Sequence, residues 1–205
     1  MNTKAVNPKQ KDFFNEKAPV WDQITIHNLD KVQYITDLLG IRENDKILDV
    51  GTGTGIMIPF YEKKLTNGRV IAVDYSDKMI EIARSKYPVE KHPLVSFVVG
   101  DVYELKYNAE FDLVMCYSCF PHFVDQNRAI EILTRALKQG GRFAVAHSNS
   151  AEKINGVHMN GGVEIKNDFL PSMDQLKRMM TANGLKVTFE RDDAEYFICI
   201  GIKTS

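Results

Sequence analysis

Five short apolar runs, rich in β-branched residues, alternate with amphipathic segments through the middle of the chain. Each run is almost continuously apolar, which is typical of strands that are covered on both faces in a parallel sheet. The pattern predicts strands at Lys46 to Val50, Arg69 to Val73, Val95 to Val99, Phe111 to Cys116 and Gly141 to His147. Strands that alternate with helical segments in this way favour a doubly wound α/β sheet.

Two of the intervening segments combine helical spacing with capping residues. Ser76 or Asp77 is placed to open one helix, while Asp125 opens another that is expected to close at Gly140 and Gly141. The apolar positions are Ile80, Ile82, Ala83 and Tyr87 in the first helix and Ile130, Leu133, Ala136 and Leu137 in the second.

The end of the chain breaks this rhythm. A helix capped near Ser172 is expected to stop at Asn183-Gly184, and two strand-like runs follow, Leu185 to Glu190 and Tyr196 to Ile202. Only the five residues from Arg191 to Glu195 separate the two runs. So short a connection cannot hold a parallel crossover, and the runs therefore predict an antiparallel hairpin.

The first ~40 residues form a polar region with scattered aromatic side chains. Phe13, Phe14 and Trp21 precede a helical stretch from Asn28 to Leu39 that ends at Gly40. We interpret this region as a helical lid whose aromatic residues cover a ligand site. The alternative is an added helix whose aromatic residues simply pack on the core.

Composition and charge exclude several classes of protein. In the 205 residues, 44% are hydrophobic and 26 Lys and Arg oppose 27 Asp and Glu, so the formal charge is −1. A neutral chain of this kind is a poor non-specific binder of nucleic acid. The start of the chain shows no apolar signal region, and no stretch approaches the ~18 apolar residues of a membrane span. With three cysteines, an odd number, we expect a cytoplasmic protein without nucleic-acid or membrane partners.

The strongest motif is a glycine-rich turn that follows the first strand directly. Gly51, Gly53 and Gly55 give the pattern G-x-G-x-G, and Asp49 lies two residues before the first glycine. Dinucleotide folds require G-x-G-x-x-G, but Ile56 occupies the position of the third glycine. We therefore expect the turn to approach a ligand other than a pyrophosphate, with the Asp49 carboxylate at the edge of a cationic group.

Two further acidic residues close the next two strands. Asp74 follows Gly51 by 23 residues, the separation expected for a carboxylate that accepts both hydroxyls of a ribose. Asp101 closes the third strand, where it can accept an adenine amino group. Together with Asp49, these residues predict a nucleoside site with a positively charged, phosphate-free tail.

These residues resemble the class I S-adenosylmethionine-dependent methyltransferases, small-molecule type, over essentially the whole chain. The resemblance lies in Asp49 to Gly55, Asp74, Gly100-Asp101, Phe111 to Val114, and Leu137 to Arg142, with Gln139 where the family often has Pro. It implies a seven-stranded, Rossmann-like sheet of order 3-2-1-4-5-7-6 whose last strand is antiparallel.

The resemblance also implies S-adenosylmethionine as methyl donor and S-adenosylhomocysteine as product. The implied cofactor-binding residues are Asp49, Gly51, Thr52, Gly53, Gly55, Asp74, Tyr75, Met79, Asp101, Val102 and Cys116. We expect one methyltransferase domain over residues 1–205. Its parts are a helical lid (1–40), a cofactor-binding core (41–147), an acceptor-specificity insertion (148–171) and a C-terminal helix and hairpin (172–205).

Three histidines are candidate bases for an acceptor that must lose a proton. His122 follows the fourth predicted strand and His147 ends the fifth, so both are expected at the ligand crevice. In a helix over Ala151 to Asn160, Asn155 and His158 share one face, which can point back at His147. A structural role is the alternative for each histidine.

Cys116, Cys119 and His122 give the pattern C-x2-C-x2-H, which leaves a metal site open. Zinc sites usually show a second pair of ligands nearby, and here only His147 and His158 could supply one in space. The alternative is that Cys116 lines the cofactor pocket.

Three functions are therefore weighed. The first is methyl transfer from S-adenosylmethionine to a small-molecule acceptor by in-line displacement. The second is a non-catalytic nucleoside-binding module, which would be favoured if residues Ser148 to Pro171 filled the acceptor space. The third is an NAD-dependent oxidoreductase, which the missing third glycine disfavours. The acceptor atom and the oligomeric state stay open at this point.

Overall fold

A computed structural model describes residues 8–160, 162 and 164–204. Within those residues, seven strands form one sheet in the order β3-β2-β1-β4-β5-β7-β6, which confirms the predicted topology. The strands are β1 (Lys46–Val50), β2 (Arg69–Asp74), β3 (Val95–Val99), β4 (Phe111–Tyr117), β5 (Leu137–His147), β6 (Leu185–Asp192) and β7 (Phe197–Lys203). Strands β1 to β5 are parallel, whereas β7 pairs antiparallel with both β5 and β6, as the short connection requires.

The helices begin largely where side chains can cap them. Ser76 accepts from the Met79 amide and Asp125 from the Arg128 amide, while Ser172 forms a capping box. The helices are α1 (Pro8–Lys17), α2 (Trp21–Ile24), α3 (Leu29–Leu38), α4 (Ile58–Glu62), α5 (Asp77–Lys86), α6 (Gln126–Ala136), α7 (Ala151–Met159) and α8 (Met173–Ala182).

One predicted helix end is wrong. Helix α6 stops at Ala136, and Leu137 already pairs with Phe111 as the first residue of β5. Gly140, in the left-handed region at φ +73°, therefore lies inside the strand, next to the register shift between β4 and β5. The helix ends there because the amides of Ala109 and Glu110 donate to the Arg135 and Ala136 carbonyls, which a longer helix would use itself.

The two faces of the sheet are covered by separate apolar layers. Side chains alternate between the faces along β1, so that Leu48 and Val50 pack toward α6 and α8, whereas Ile47 packs toward α3 and α4. A third cluster lies under α1, where Phe14 contacts Met79 of α5 and Ile165. In the described ranges no helix has the length and apolar content needed to cross a membrane.

One arginine in the middle of β5 connects the residue before β1 to the end of α3. Arg142 pairs with Asp45, and their side chains are 14% and 5% exposed. The same guanidinium donates to the Leu39 carbonyl at 2.7 Å and to the Gly40 carbonyl, which are the last carbonyls of the α3 end. Arg142 therefore satisfies helix-end acceptors and a buried carboxylate together.

We expect Arg142→Ala to lower the free energy of unfolding by about 3 kcal/mol, because the variant leaves the Asp45 carboxylate buried without its partner. Urea denaturation followed by circular dichroism measures this loss. Arg128→Ala is the matched control, since Arg128 pairs with Glu131 on the exposed face of α6 and its loss should leave stability unchanged within error. Equal effects of the two variants would contradict the assignment.

Candidate active site

A cavity opens at the carboxyl ends of four parallel strands, β1 to β4. This edge is the place where α/β sheets bind ligands. Its floor is the glycine loop after β1, and its walls are the ends of β2, β3 and β4. The N-terminal segment, which we define as residues 8–28, forms the remaining wall. The described lining residues of that segment are Gln10, Phe14, Trp21, Asp22, Thr25 and His27.

The glycine loop packs too tightly for side chains at its first position. Gly51 has φ +68°, and a Cβ there would lie 2.5 Å from the Cβ of Cys119. The Gly51 and Thr52 amides both donate to the Val73 carbonyl, at 2.8 and 3.1 Å. The glycine loop is thus fixed both against β2 and against residues 118–125, which we call the β4 loop, and its backbone forms the cavity floor.

Asp74, the predicted ribose acid, faces the cavity from the end of β2. Its Oδ2 accepts from the Gly53 amide at 2.8 Å and its Oδ1 from the Ser76 amide at 2.9 Å. Burial raises the pKa of Asp74 to about 6, although both amide donors oppose the shift. The carboxylate is therefore held in one orientation, with its remaining lone pairs available to a ligand.

Asp101, the predicted adenine acid, lies on the same cavity wall beyond β3. Its carboxylate accepts from the Tyr103 amide at 3.0 Å and so caps a short helical turn. Gly100, Val102 and Tyr103 line the cavity beside it and provide flat and apolar surface next to a polar acceptor. This arrangement matches what an adenine ring with an exocyclic amine needs.

Asp49 is placed differently from the expectation. It is 1% exposed and does not line the cavity. Its carboxylate accepts from the Thr52 hydroxyl at 2.6 Å and from the Tyr61 hydroxyl at 3.1 Å. Burial raises the pKa of Asp49 to about 6. Asp49 thus braces the glycine loop through Thr52, which does line the cavity, instead of lying at a ligand's edge.

Two other predicted cofactor residues also lie away from the cavity. Gly55 faces Tyr87, whose ring would be 2.8 Å from a Cβ at that position, and Cys116 is fully buried in the core. The predicted residues that line the cavity are Gly51, Thr52, Gly53, Asp74, Tyr75, Met79, Asp101 and Val102.

The N-terminal segment covers the cavity with aromatic and polar side chains. Phe14 and Trp21 line the cavity, whereas Phe13 packs edge-on against Phe14 with ring centroids 5.3 Å apart. Asp22 accepts from the Thr54 hydroxyl at 2.5 Å and pairs with Lys86 of α5 at 2.7 Å. Polar contacts therefore join this segment to the glycine loop, in addition to the apolar packing that the sequence suggested.

A hydrogen-bonded set of polar side chains at the cavity wall was not predicted from the sequence. The Tyr117 hydroxyl lies 3.0 Å from Nδ1 of His27 and 2.9 Å from the Ser148 hydroxyl. Burial lowers the pKa of His27 and raises that of Tyr117, so both are neutral near pH 7. Beside them Ser118 lines the cavity at φ +53°, a left-handed backbone conformation that is uncommon for residues other than glycine.

The three candidate histidines fall into different environments. Only His122 lines the cavity. His147 is buried at the end of β5, and burial lowers its pKa to about 3, so its ring is neutral and only a weak base near pH 7. His158 is also buried, and its Nδ1 lies 2.6 Å from the Asp168 carbonyl. The face of α7 that carries Asn155 and His158 thus holds residues 168–170.

The C-x2-C-x2-H pattern does not form a ligand set. Cys119 donates its thiol to the Val50 carbonyl at 3.0 Å, while Cys116 lies in the core. Across the residues that the structure describes, no three His, Cys, Asp or Glu side chains are arranged to hold a metal ion. Cys119 instead serves as the surface on which Gly51 packs.

Comparison with known proteins agrees with this geometry. Residues 48–145 match the model of the methyltransferase domain family. The chain is 32% identical over 129 residues to the ubiquinone/menaquinone biosynthesis C-methyltransferase UbiE of Vibrio cholerae, covering 58% of this chain and 47% of the relative. It is 30% identical over 134 residues to malonyl-[acyl-carrier protein] O-methyltransferase 1 of Ilyobacter polytropus, covering 64% and 48%.

The chain spans about half the length of the curated relatives that it matches. Among solved structures, the magnesium protoporphyrin IX methyltransferase of Synechocystis with bound S-adenosylmethionine superposes with a TM-score of 0.73 at 16% identity. That alignment covers 99% of this chain and 100% of the other. The matched core and the named relatives support a class I S-adenosylmethionine-dependent methyltransferase, and the solved structure shares the fold of this chain.

Proposed function

We propose that the protein transfers a methyl group from S-adenosylmethionine to a small-molecule acceptor. The observation that carries the proposal is the charge of the cavity wall. Three aspartates, Asp22, Asp74 and Asp101, line the cavity, and no Lys or Arg is present among its described lining residues. An acidic wall suits a nucleoside with a cationic tail and leaves a pyrophosphate without partners.

The cofactor would lie along the floor of the cavity. Asp74 would accept the ribose hydroxyls and Asp101 the adenine amine, and the open glycine-loop backbone would pass beneath the sulfonium. When bound, S-adenosylmethionine supplies a methyl group that its positive sulfur already activates. The protein then has to align the acceptor in line with the methyl–sulfur bond and exclude water, which the aromatic N-terminal segment does from above.

The acceptor would enter beside the β4 loop, where Tyr117, Ser118 and His122 line the wall. None of the described residues in 148–171 lines the cavity, so those residues leave the acceptor space open. This favours turnover over a purely binding role. The NAD-dependent alternative is disfavoured because Ile56 lines the cavity where a dinucleotide fold needs glycine. The acceptor-specificity role of residues 148–171 stays a prediction, as do the cytoplasmic location and the lack of a nucleic-acid partner.

Calorimetry with S-adenosylmethionine, S-adenosylhomocysteine and NADH tests the proposal directly. We expect micromolar binding of the first two and none of NADH. Release of S-adenosylhomocysteine in the presence of acceptor mixtures then measures transfer. Failure of both nucleosides to bind would remove the proposal, and binding without transfer to any acceptor would favour the non-catalytic module.

Cofactor affinity should depend on pH through Asp74. Because the pKa of Asp74 is raised to about 6, the carboxylate that accepts the ribose hydroxyls becomes protonated below that pH. Affinity for S-adenosylhomocysteine should thus be nearly constant above pH 7 and fall about tenfold between pH 7 and pH 5. Titration calorimetry at these pH values measures the effect.

Asp74→Asn should bind weakly at every pH and lose this dependence. Asp49→Asn is the matched control, since the pKa of Asp49 is also raised to about 6 but its carboxylate is turned away from the cavity. That variant should keep the fall in affinity. A pH dependence that disappears in Asp49→Asn and persists in Asp74→Asn would show that the wrong carboxylate has been assigned.

The close packing at Gly51 gives another prediction. Gly51→Ala should lower the free energy of unfolding by about 3 kcal/mol and cofactor affinity more than tenfold. The alanine would have to adopt a left-handed backbone conformation, and its Cβ would clash with Cys119. Gly140→Ala isolates the first effect, since Gly140 has φ +73° but nothing within 4 Å of an added Cβ. It should cost about 1 kcal/mol and leave binding unchanged. Equal loss of binding in both variants would refute the packing argument.

A further inference from the structure

His122 is paired with a carboxylate from the segment that follows α7. Its Nδ1 lies 2.7 Å from Oδ2 of Asp168, and the two side chains are only 15% and 16% exposed. His122 lines the cavity and Asp168 does not. The pair therefore presents one edge of an imidazole to the ligand and keeps its carboxylate behind the ring.

A second contact determines which ring nitrogen carries the proton. The same Oδ2 of Asp168 accepts from the side-chain amide of Gln10 at 2.6 Å, so this oxygen acts as an acceptor. His122 must then donate through Nδ1, and in the neutral ring the free lone pair lies on Nε2. Such an imidazole is able to accept a proton from a group in the cavity.

The ring of His122 is also packed from two sides. Phe14 of the N-terminal segment and His158 of α7 each place a ring centroid 4.9 Å from it. His158 contacts the Asp168 carbonyl through Nδ1 at 2.6 Å. Burial lowers the pKa of His158, which keeps it neutral. Asp168 is thereby held through both its side chain and its backbone, and His122 through Asp168.

Gln10 connects this pair to the cofactor wall. It is 3% exposed and receives a hydrogen bond from the Tyr75 hydroxyl at 3.0 Å, while its amide donates to Asp168. Tyr75 follows Asp74 directly and lines the cavity. Helix α1 therefore bridges the ribose side of the site and the carboxylate that orients His122.

We propose that His122 is the base that removes a proton from the methyl acceptor, with Asp168 as its positioning residue and Gln10 as the support of Asp168. The inference rests on the proposed methyl transfer and specifies its acceptor class, a hydroxyl or phenol that must lose a proton when it is methylated. Neutral acceptors that have no proton to lose would not need this arrangement.

The step balances without any further reactant. The acceptor oxygen forms a bond to the methyl carbon while the carbon–sulfur bond breaks and its electron pair stays on sulfur, which becomes a neutral thioether. The acceptor proton moves to Nε2 of His122. The Asp168 carboxylate stabilises the resulting imidazolium through Nδ1–H, and the proton later leaves to water.

The tautomer of His122 is the first test, since it needs no acceptor. Long-range proton–nitrogen NMR of the full chain with S-adenosylhomocysteine should show His122 protonated on Nδ1 alone, the signal being identified by its loss in His122→Gln. Asp168→Ala should remove this preference and Asp168→Glu restore it. Asp174→Ala, at an exposed position on α8, is the control and should change nothing. A wild-type His122 protonated on Nε2 overturns the proposal.

Rates with two probe series provide the second test. Substituted phenols carry the proton that the base would remove, whereas substituted pyridines are methylated without losing one. His122→Gln should lower kcat for phenols 100- to 1000-fold, and for pyridines less than about threefold, with cofactor affinity unchanged. Asp168→Ala should act in the same direction, with most of the loss recovered above pH 9, where phenols ionise unaided.

Equal losses for both probe series would mean that the pair is only structural and would overturn the inference. So would an undiminished phenol rate in His122→Gln. If wild type transfers methyl to neither series, the tautomer measurement decides alone. Absence of cofactor binding is a separate outcome that concerns the proposed function itself, and calorimetry on the wild-type protein identifies it.

Discussion

The whole site depends on one close approach of the Gly51 backbone to the side chain of Cys119. The loop after β1 passes so near the β4 loop that a Cβ at Gly51 would lie within 2.8 Å of the Sγ of Cys119. The loop is fixed there by two amides that donate to Val73 of the neighbouring strand. Because this contact joins β1, β2 and β4, it sets the distances between the carboxylate of Asp74 and the wall that carries His122. Every functional group of the cavity is positioned relative to that floor.

Electrostatic interactions then determine which ligands can bind at the floor of the cavity. The Gly53 amide, which in a dinucleotide fold would be available to a phosphate, is occupied by the Asp74 carboxylate at 2.8 Å. The protein thus supplies its own anion at the glycine loop. A ligand with a second anion there would meet a carboxylate held in low dielectric, whereas neutral ribose hydroxyls can donate to it. This single hydrogen bond separates a sulfonium nucleoside site from a pyrophosphate site more sharply than the glycine spacing does.

Much of the fold could be predicted from the chain alone, because continuous apolar runs and short turns are local signals. Strand-end acids such as Asp74 and Asp101 could be predicted as well, since parallel strands bring their carboxyl ends together. Asp49 lies away from the expected position because the period of two along β1 turns it with Ile47 toward α4, away from the cavity. The contacts of Gln10 could not be predicted from the sequence, since its partner Asp168 lies 158 residues away.

Burial explains why three nearby histidines are not equivalent. A fully buried imidazole loses the hydration of its charged form, so the pKa of His147 drops to about 3 and its ring stays neutral. Burial lowers the pKa of His158 as well, and its Nδ1 is committed to the Asp168 backbone. His122 differs because it combines a face on the cavity with a carboxylate partner that can compensate a positive charge. Proton transfer needs both properties in one residue. In the described part of the chain, the fold brings them together only where α1, the β4 loop and the segment after α7 meet.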